Sequence, residues 1–160
     1  MDFNKLIQTG ENFARIEFIY NGLPETGMMA WLDSSEIKTW WRADDAIVEP
    51  FVGGRFYVVW DEGDRGRQHA ICGVIKLIDT DTDHIQVSKI FYMSPAGKLG
   101  PIELDIRFER TGGNETKFLL CHTHEHKGQL HKLYDASVFA SWPATFGLMK
   151  KYLEGNCVNQ

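Results

Sequence analysis

The sequence has little cysteine, no long apolar run and no excess of positive charge, and each shortage closes off a class of protein. Its three cysteines, Cys72, Cys121 and Cys157, are odd in number and far apart. That excludes a disulfide framework and paired zinc-binding cysteines, and it suits a reducing compartment. No stretch approaches the roughly 18 apolar residues that a membrane-spanning helix needs. The opening Met-Asp-Phe-Asn-Lys-Leu lacks the basic-then-apolar layout of a secretion signal, so the cytoplasm is the expected location. Lys and Arg number 17 against 22 Asp and Glu, a formal net charge of −5. This argues against nucleic acid or an anionic membrane as the main partner. Repeats, low-complexity segments and linkers are missing too.

Aromatic surface, in contrast, is plentiful: 10 Phe, 5 Tyr and 5 Trp in 160 residues. A chain of this length is expected to form one domain over 1–160, its core spanning about 15–154, and to bury roughly 68–70% of its unfolded surface. Arg15 to Tyr20 reads as a first strand, with Ile16, Phe18 and Tyr20 alternating against Arg15, Glu17 and Ile19. Asn21-Gly22 then marks a turn. Pro24 suits a first helical residue, and Met28, Trp31 and Leu32 follow at helical spacing. Asp33 with Glu36 has the form of a capping box, opening a second short helix striped by Ile37, Trp40 and Trp41. Two such helices cannot stand alone in water, so they must cover something.

From about Ala46 to Glu125 the period changes to two. Ile102, Leu104, Ile106 and Phe108 alternate with Glu103, Asp105, Arg107 and Glu109, the mark of an antiparallel strand with one wet face. Phe56, Val58 and Trp60 share a side in the same way. Turn clusters at Gly53-Gly54, Glu62 to Asp64, Asp79 to Asp83, Ser94 to Gly97 and Thr111 to Asn114 divide the region into six hairpin-linked strands. The register of His84 to Tyr92 stays open, because Ile85, Val87 and Phe91 share a face with Lys89. Tyr134, Val138, Trp142, Phe146, Met149 and Leu153 then step by three or four along a long C-terminal helix. Pro143 should bend it or start a second segment. Lys150 and Lys151 suit its last turn, and Gly155 the position just past its end. A sheet with one wet face needs a cover, and only this helix is long enough.

The order β-α-α-β6-α resembles the helix-grip fold of the SRPBCC superfamily, which includes START lipid-transfer domains, birch-pollen-allergen-like proteins and polyketide cyclases. Within it the chain is most similar to the family named for the activator of heat-shock protein 90 ATPase. Trp31-Leu32-Asp33 with Trp40-Trp41 resembles that family's early tryptophan, helix break and Trp-Trp pair. Gly53-Gly54-Arg55-Phe56 resembles its Gly-Gly-x-Phe strand start. Thr116 to His122 resembles its Thr-x-Leu-x-Leu-Thr-His strand, with Phe118 and Cys121 replacing Leu and Thr. Trp142 to Phe146, through Lys151 to Glu154, resembles its closing helix, with Ser141 where glycine is usual. The resemblance covers about residues 15 to 154. It implies an α+β helix-grip architecture, a curved antiparallel sheet wrapped round the C-terminal helix. It leaves function open, since this fold hosts transporters, cyclases, hydrolases and cochaperone modules.

Under that fold the helix stripe of Tyr134, Val138 and Trp142 faces the inward row Phe56, Val58, Trp60 and Phe108, while Trp31, Trp40 and Trp41 close one end. Rings so disposed can enclose an apolar ligand cavity, although any one of them is first of all core filling. Trp142 is expected near the cavity, with Phe146 and Met149 packing its closed end. His122, His124 and His126 share one strand face, a geometry known for zinc, to which His131 or Glu125 would add a ligand. Solvated loop histidines are the plainer reading, so no metal is expected, and His122 and His124 remain only weak candidates for one. His122, on the parity of Phe118 and Leu120, should point inward, where it or Tyr134 is a weak candidate for proton transfer. Tyr57 is a further polar group if it faces in. Cys72 and Cys121 are expected to be buried as small hydrophobes. The leading expectation is binding of a small hydrophobic or aromatic ligand without established catalysis. The alternatives are a cyclase- or hydrolase-type enzyme and a cochaperone-like protein-binding module. No motif calls for a cofactor, and a homodimer stays open. The family's cochaperones carry an additional domain for heat-shock protein 90, and 160 residues leave no room for one, so that partner is not expected.

Overall fold

The computed structural model describes residues 6–10, 12–61, 68–95, 97–125 and 128–158. A hairpin of β1 (Ile7–Gly10) and β2 (Phe13–Asn21) leads into helices α1 (Pro24–Leu32) and α2 (Ser34–Trp40). Six strands follow: β3 (Asp45–Val48), β4 (Arg55–Asp61), β5 (Gln68–Asp79), β6 (His84–Ser94), β7 (Gly97–Gly112) and β8 (Glu115–His124). Helix α3 (Gln129–Val158) closes the order. The strands build one curved antiparallel sheet, β1-β2-β8-β7-β6-β5-β4-β3, gripping α3. The order is the one expected, with β1 added at an edge. Four mostly exposed residues carry too few alternations to stand out as a strand.

Asp33 ends α1 and starts α2, its carboxylate accepting from the backbone N–H groups of Ser35 and Glu36 at 3.0 Å each. This satisfies two donors that the first turn otherwise leaves open. Glu36 does not complete the box. Its Oε1 instead accepts from the Tyr152 hydroxyl at 3.0 Å, linking α2 to α3. Gly27 lets α1 lie flat on the sheet: a Cβ there would sit 2.3 Å from Phe108 and 2.6 Å from the Tyr20 hydroxyl.

A bulge settles the register around Lys89. Lys89 has φ +53°, and the β6–β7 pairing slips between Val87 and Ile90. One extra residue resets the alternation, so Ile85, Val87 and Ile90 are buried while Lys89 is exposed. Phe91 pairs with exposed Cys72 and lies under the Lys98 ammonium. Cys72 is thus on the outer face and Cys121 only half-buried, against the expectation that both fill the core. Their strands alternate, and both fall on the parity opposite the core rows.

Helix α3 runs unbroken through Pro143 and past Gly155, where a bend and an end were expected. Pro143 removes one N–H donor, and the flanking turns hold the helix. Ser141 Oγ donates to Val138 O at 2.6 Å within the preceding turn. The Lys150 ammonium, expected to serve a helix end, donates to Ile19 O of β2 at 3.0 Å and to Glu154 at 2.9 Å.

Candidate functional site

Burial along α3 divides the space under it in two. Met149 and Leu153 are fully buried, whereas Val138 and Phe139, nearer the start of the helix, are only partly so. At the tight end Phe18, Phe118 and Phe108 form a row across β2, β8 and β7, with ring centroids 5.0 and 5.4 Å apart. Trp31 stacks on Phe118 and Phe56, and Tyr20 donates to Leu23 O at 2.9 Å. Aromatic filling there leaves no room. Further along β8 the row gives way to Leu120 and His122, and a cavity of about 630 Å³ opens between sheet and helix.

Of the expected cavity residues, Trp31, Trp41, Trp60, His122, Val138 and Trp142 line this space. Trp40, Phe56, Val58 and Phe108 do not. They are fully or almost fully buried behind the wall: Trp40 stacks on Trp41 and donates its indole N–H to Ala30 O, and Phe108 supports Phe118. Tyr57 alternates away from Phe56 and Val58 and is not on the wall. The side chain of Tyr134 lies outside the described residues, as do His126 and the side chain of His131. Phe146, expected at the closed end beside Met149, instead lines the cavity while also packing on Phe118.

The polar side of the wall was largely missed. His69 and Tyr92 line the cavity and hydrogen-bond to each other through Nδ1 and the phenolic oxygen. Arg42, Asp44 and Asp61 stand at its rim, and Ser137, Ser141 and Thr145 lie on the helix side. His69 shares parity with Ile71 and Ile75, a signal present in the sequence. Tyr92 was hidden by the bulge at Lys89, which no alternation count reveals. The three small hydroxyl side chains recur every four residues beside the apolar stripe, as one helix face should.

His122 and His124 both face α3 and are buried, so they are not solvated loop histidines. His122 meets Phe139 and Trp142 edge-on, at 5.3 and 6.0 Å between centroids. Burial among these rings, with His124 beside it, pushes its pKa down to about 4. His124 Nε2 instead pairs with Asp135 of α3 at 2.8 Å, pinning the helix start to the strand end. Glu125 is exposed. Among the described residues no three His, Cys, Asp or Glu side chains converge on a metal site. Cys121, on the outer face, has its thiol pKa pushed up, mainly by burial. No helix among these residues is long and apolar enough to cross a membrane.

Solved structures share this architecture at low identity. A protein of Arthrobacter aurescens superposes with TM-score 0.74 at 15% identity, covering 93% of this chain and 91% of its own. One from Nitrosomonas europaea gives 0.73 at 16%, covering 94% and 99%, and one from Mycobacterium smegmatis gives 0.73 at 12%, covering 94% and 97%. At such identities the likeness is one of fold. No curated protein matches the chain in sequence. Residues 29–154 match the family described as Activator of Hsp90 ATPase homolog 1-like protein.

Proposed function

The chain belongs to the activator of Hsp90 ATPase homolog 1-like family, and from the geometry of its cavity we propose that it binds a small, largely apolar or aromatic molecule between the sheet and α3. One observation carries this reading: a space of about 630 Å³ walled by Trp31, Trp41, Trp60 and Trp142, with a few polar groups set among them. Small-molecule sites have this size and make-up, apolar walls giving affinity and sparse polar groups giving orientation. The ligand stands as the partner in this reading, in a cytoplasmic protein with free thiols at Cys72 and Cys121; heat-shock protein 90 does not.

A catalytic reading, cyclase- or hydrolase-type, stands second on the strength of His122, whose shifted pKa beside the cavity is the kind of perturbation active sites use. The direction of that shift limits the role. Near pH 7 a ring with a pKa of about 4 is neutral, so it is a poor general acid and serves better to orient a polar group.

Native mass spectrometry of freshly purified protein, followed by solvent extraction, tests the proposal. A co-purifying small molecule, or failing that an enhanced emission of Nile red that Trp142→Ala weakens, is the expected result. Protein that arrives empty and leaves Nile red emission unchanged would sink the binding reading.

A further inference from the structure

We propose that the His69–Tyr92 pair is the polar anchor of the cavity and that it selects a ligand whose aromatic ring carries a neutral hydroxyl group. This rests on the ligand-binding reading above and adds the group by which the ligand is held. Both residues sit on the rigid sheet. Register places His69 opposite Trp60 of β4 and Tyr92 opposite Ile71 of β5, and the bulge at Lys89 turns Tyr92 inward. The two rings, 5.8 Å apart between centroids, line the cavity side by side. Strand-borne groups locked by a mutual hydrogen bond hold a ligand atom more accurately than loop residues do.

The chemistry of the pair narrows the ligand. With Nδ1 of His69 engaged by Tyr92, Nε2 is the ring nitrogen left to meet a ligand. If the Tyr92 hydroxyl donates to Nδ1, Nε2 carries the hydrogen and donates. If Nδ1–H donates to the phenolic oxygen, Nε2 accepts. A hydroxyl both donates and accepts, so it satisfies either arrangement; a carboxylate fits only the first and an ammonium only the second. Charge at the rim removes the anionic choices further. Among the described residues the rim carries two carboxylates, Asp44 and Asp61, and one guanidinium, Arg42, and Asp44 accepts from the Asp61 backbone N–H at 2.6 Å. The excess carboxylate among these groups repels a phenolate or carboxylate, whereas it leaves a neutral hydroxyl unaffected. Trp60, packed edge-on against Trp41 at 5.1 Å, supplies flat apolar surface next to His69 for the ring that bears it.

The probe pair is umbelliferone, a hydroxylated coumarin, and its O-methyl ether, each titrated by fluorescence below the ionisation range of the hydroxyl. The readout is the ratio of the two affinities, so a general loss of binding cancels. In the unaltered protein umbelliferone is expected to bind about tenfold more tightly, the equivalent of one hydrogen bond of about 1.4 kcal/mol. His69→Phe should bring the ratio to about one, and the isosteric Tyr92→Phe, which frees the imidazole from its fixed orientation, should reduce it. If both probes bind the unaltered protein equally, the anchor is wrong while the cavity reading stands. A tenfold ratio that survives His69→Phe, or Tyr92→Phe where His69→Phe does not fold, also overturns the anchor. If neither probe binds, the anchor falls; Nile red emission that still rises leaves the cavity reading standing, whereas an empty protein that leaves it unchanged sinks both.

Discussion

The imidazole of His122 is 4% exposed and lies against Phe139 and Trp142, so its behaviour is set by its surroundings more than by its type. Its folded pKa is about 4 against an ordinary 6.5. Between those values the unfolded chain binds a proton that the folded one refuses. Stability should therefore be complete above pH 6.5 and decline as the pH falls toward 4, by about 3 kcal/mol in all. Urea unfolding at pH 7, 5.5 and 4 measures this, and His122→Phe should flatten the slope across that window. Equal slopes in the two proteins would show that His122 does not titrate as a buried group. Its inward direction was legible from parity with Phe118 and Leu120. What the sequence withheld was the neutral state, which depends on rings from α3 some twenty residues away.

Helix α3 depends on its two ends differently. Its second half is buried through Met149 and Leu153, with Glu154 accepting from Asn21 N–H at 2.9 Å. The first half covers the cavity, and the His124–Asp135 pair is one of its supports. The His124 side chain is 2% exposed, and losing this hydrogen bond costs about 1 kcal/mol of local stability. Asp135→Ala should therefore speed amide exchange over residues 129–142 and leave 146–153 near the rate of the unaltered protein. Uniform acceleration along the helix would instead mean that the pair supports the whole fold. Sequence periodicity located this helix but misjudged its extent. Pro143 and Gly155 carry local preferences for a bend and a stop, and packing against β2, α1 and α2 outweighs both.

Across the molecule, Trp31 joins the parts. It touches Trp40 and Trp41 of the α2 region, Phe56 of β4 and Phe118 of β8, and it is wholly buried. Trp31→Ala removes a ring shared by the short helices and the sheet, and by analogy with other large-to-small changes should cost about 3–5 kcal/mol. A urea midpoint that scarcely moves would contradict its central place. The sequence by itself determined the element order and much of the apolar face. Alternation in β4 and β7, helical steps in α3 and the turn clusters are local patterns, each readable within a dozen residues. Only the tertiary structure decided which aromatics fill and which enclose. Phe56 and Phe108 obey the same alternation as Trp60, yet they pack behind Trp31 and Phe118 respectively, while Trp60 lines the cavity. That difference arises because the filling rings cluster at one end of a curved sheet, and because one bulged residue, Lys89, carries Tyr92 to the side of His69. Distances between segments far apart in the chain set both outcomes, and local periodicity has no access to them.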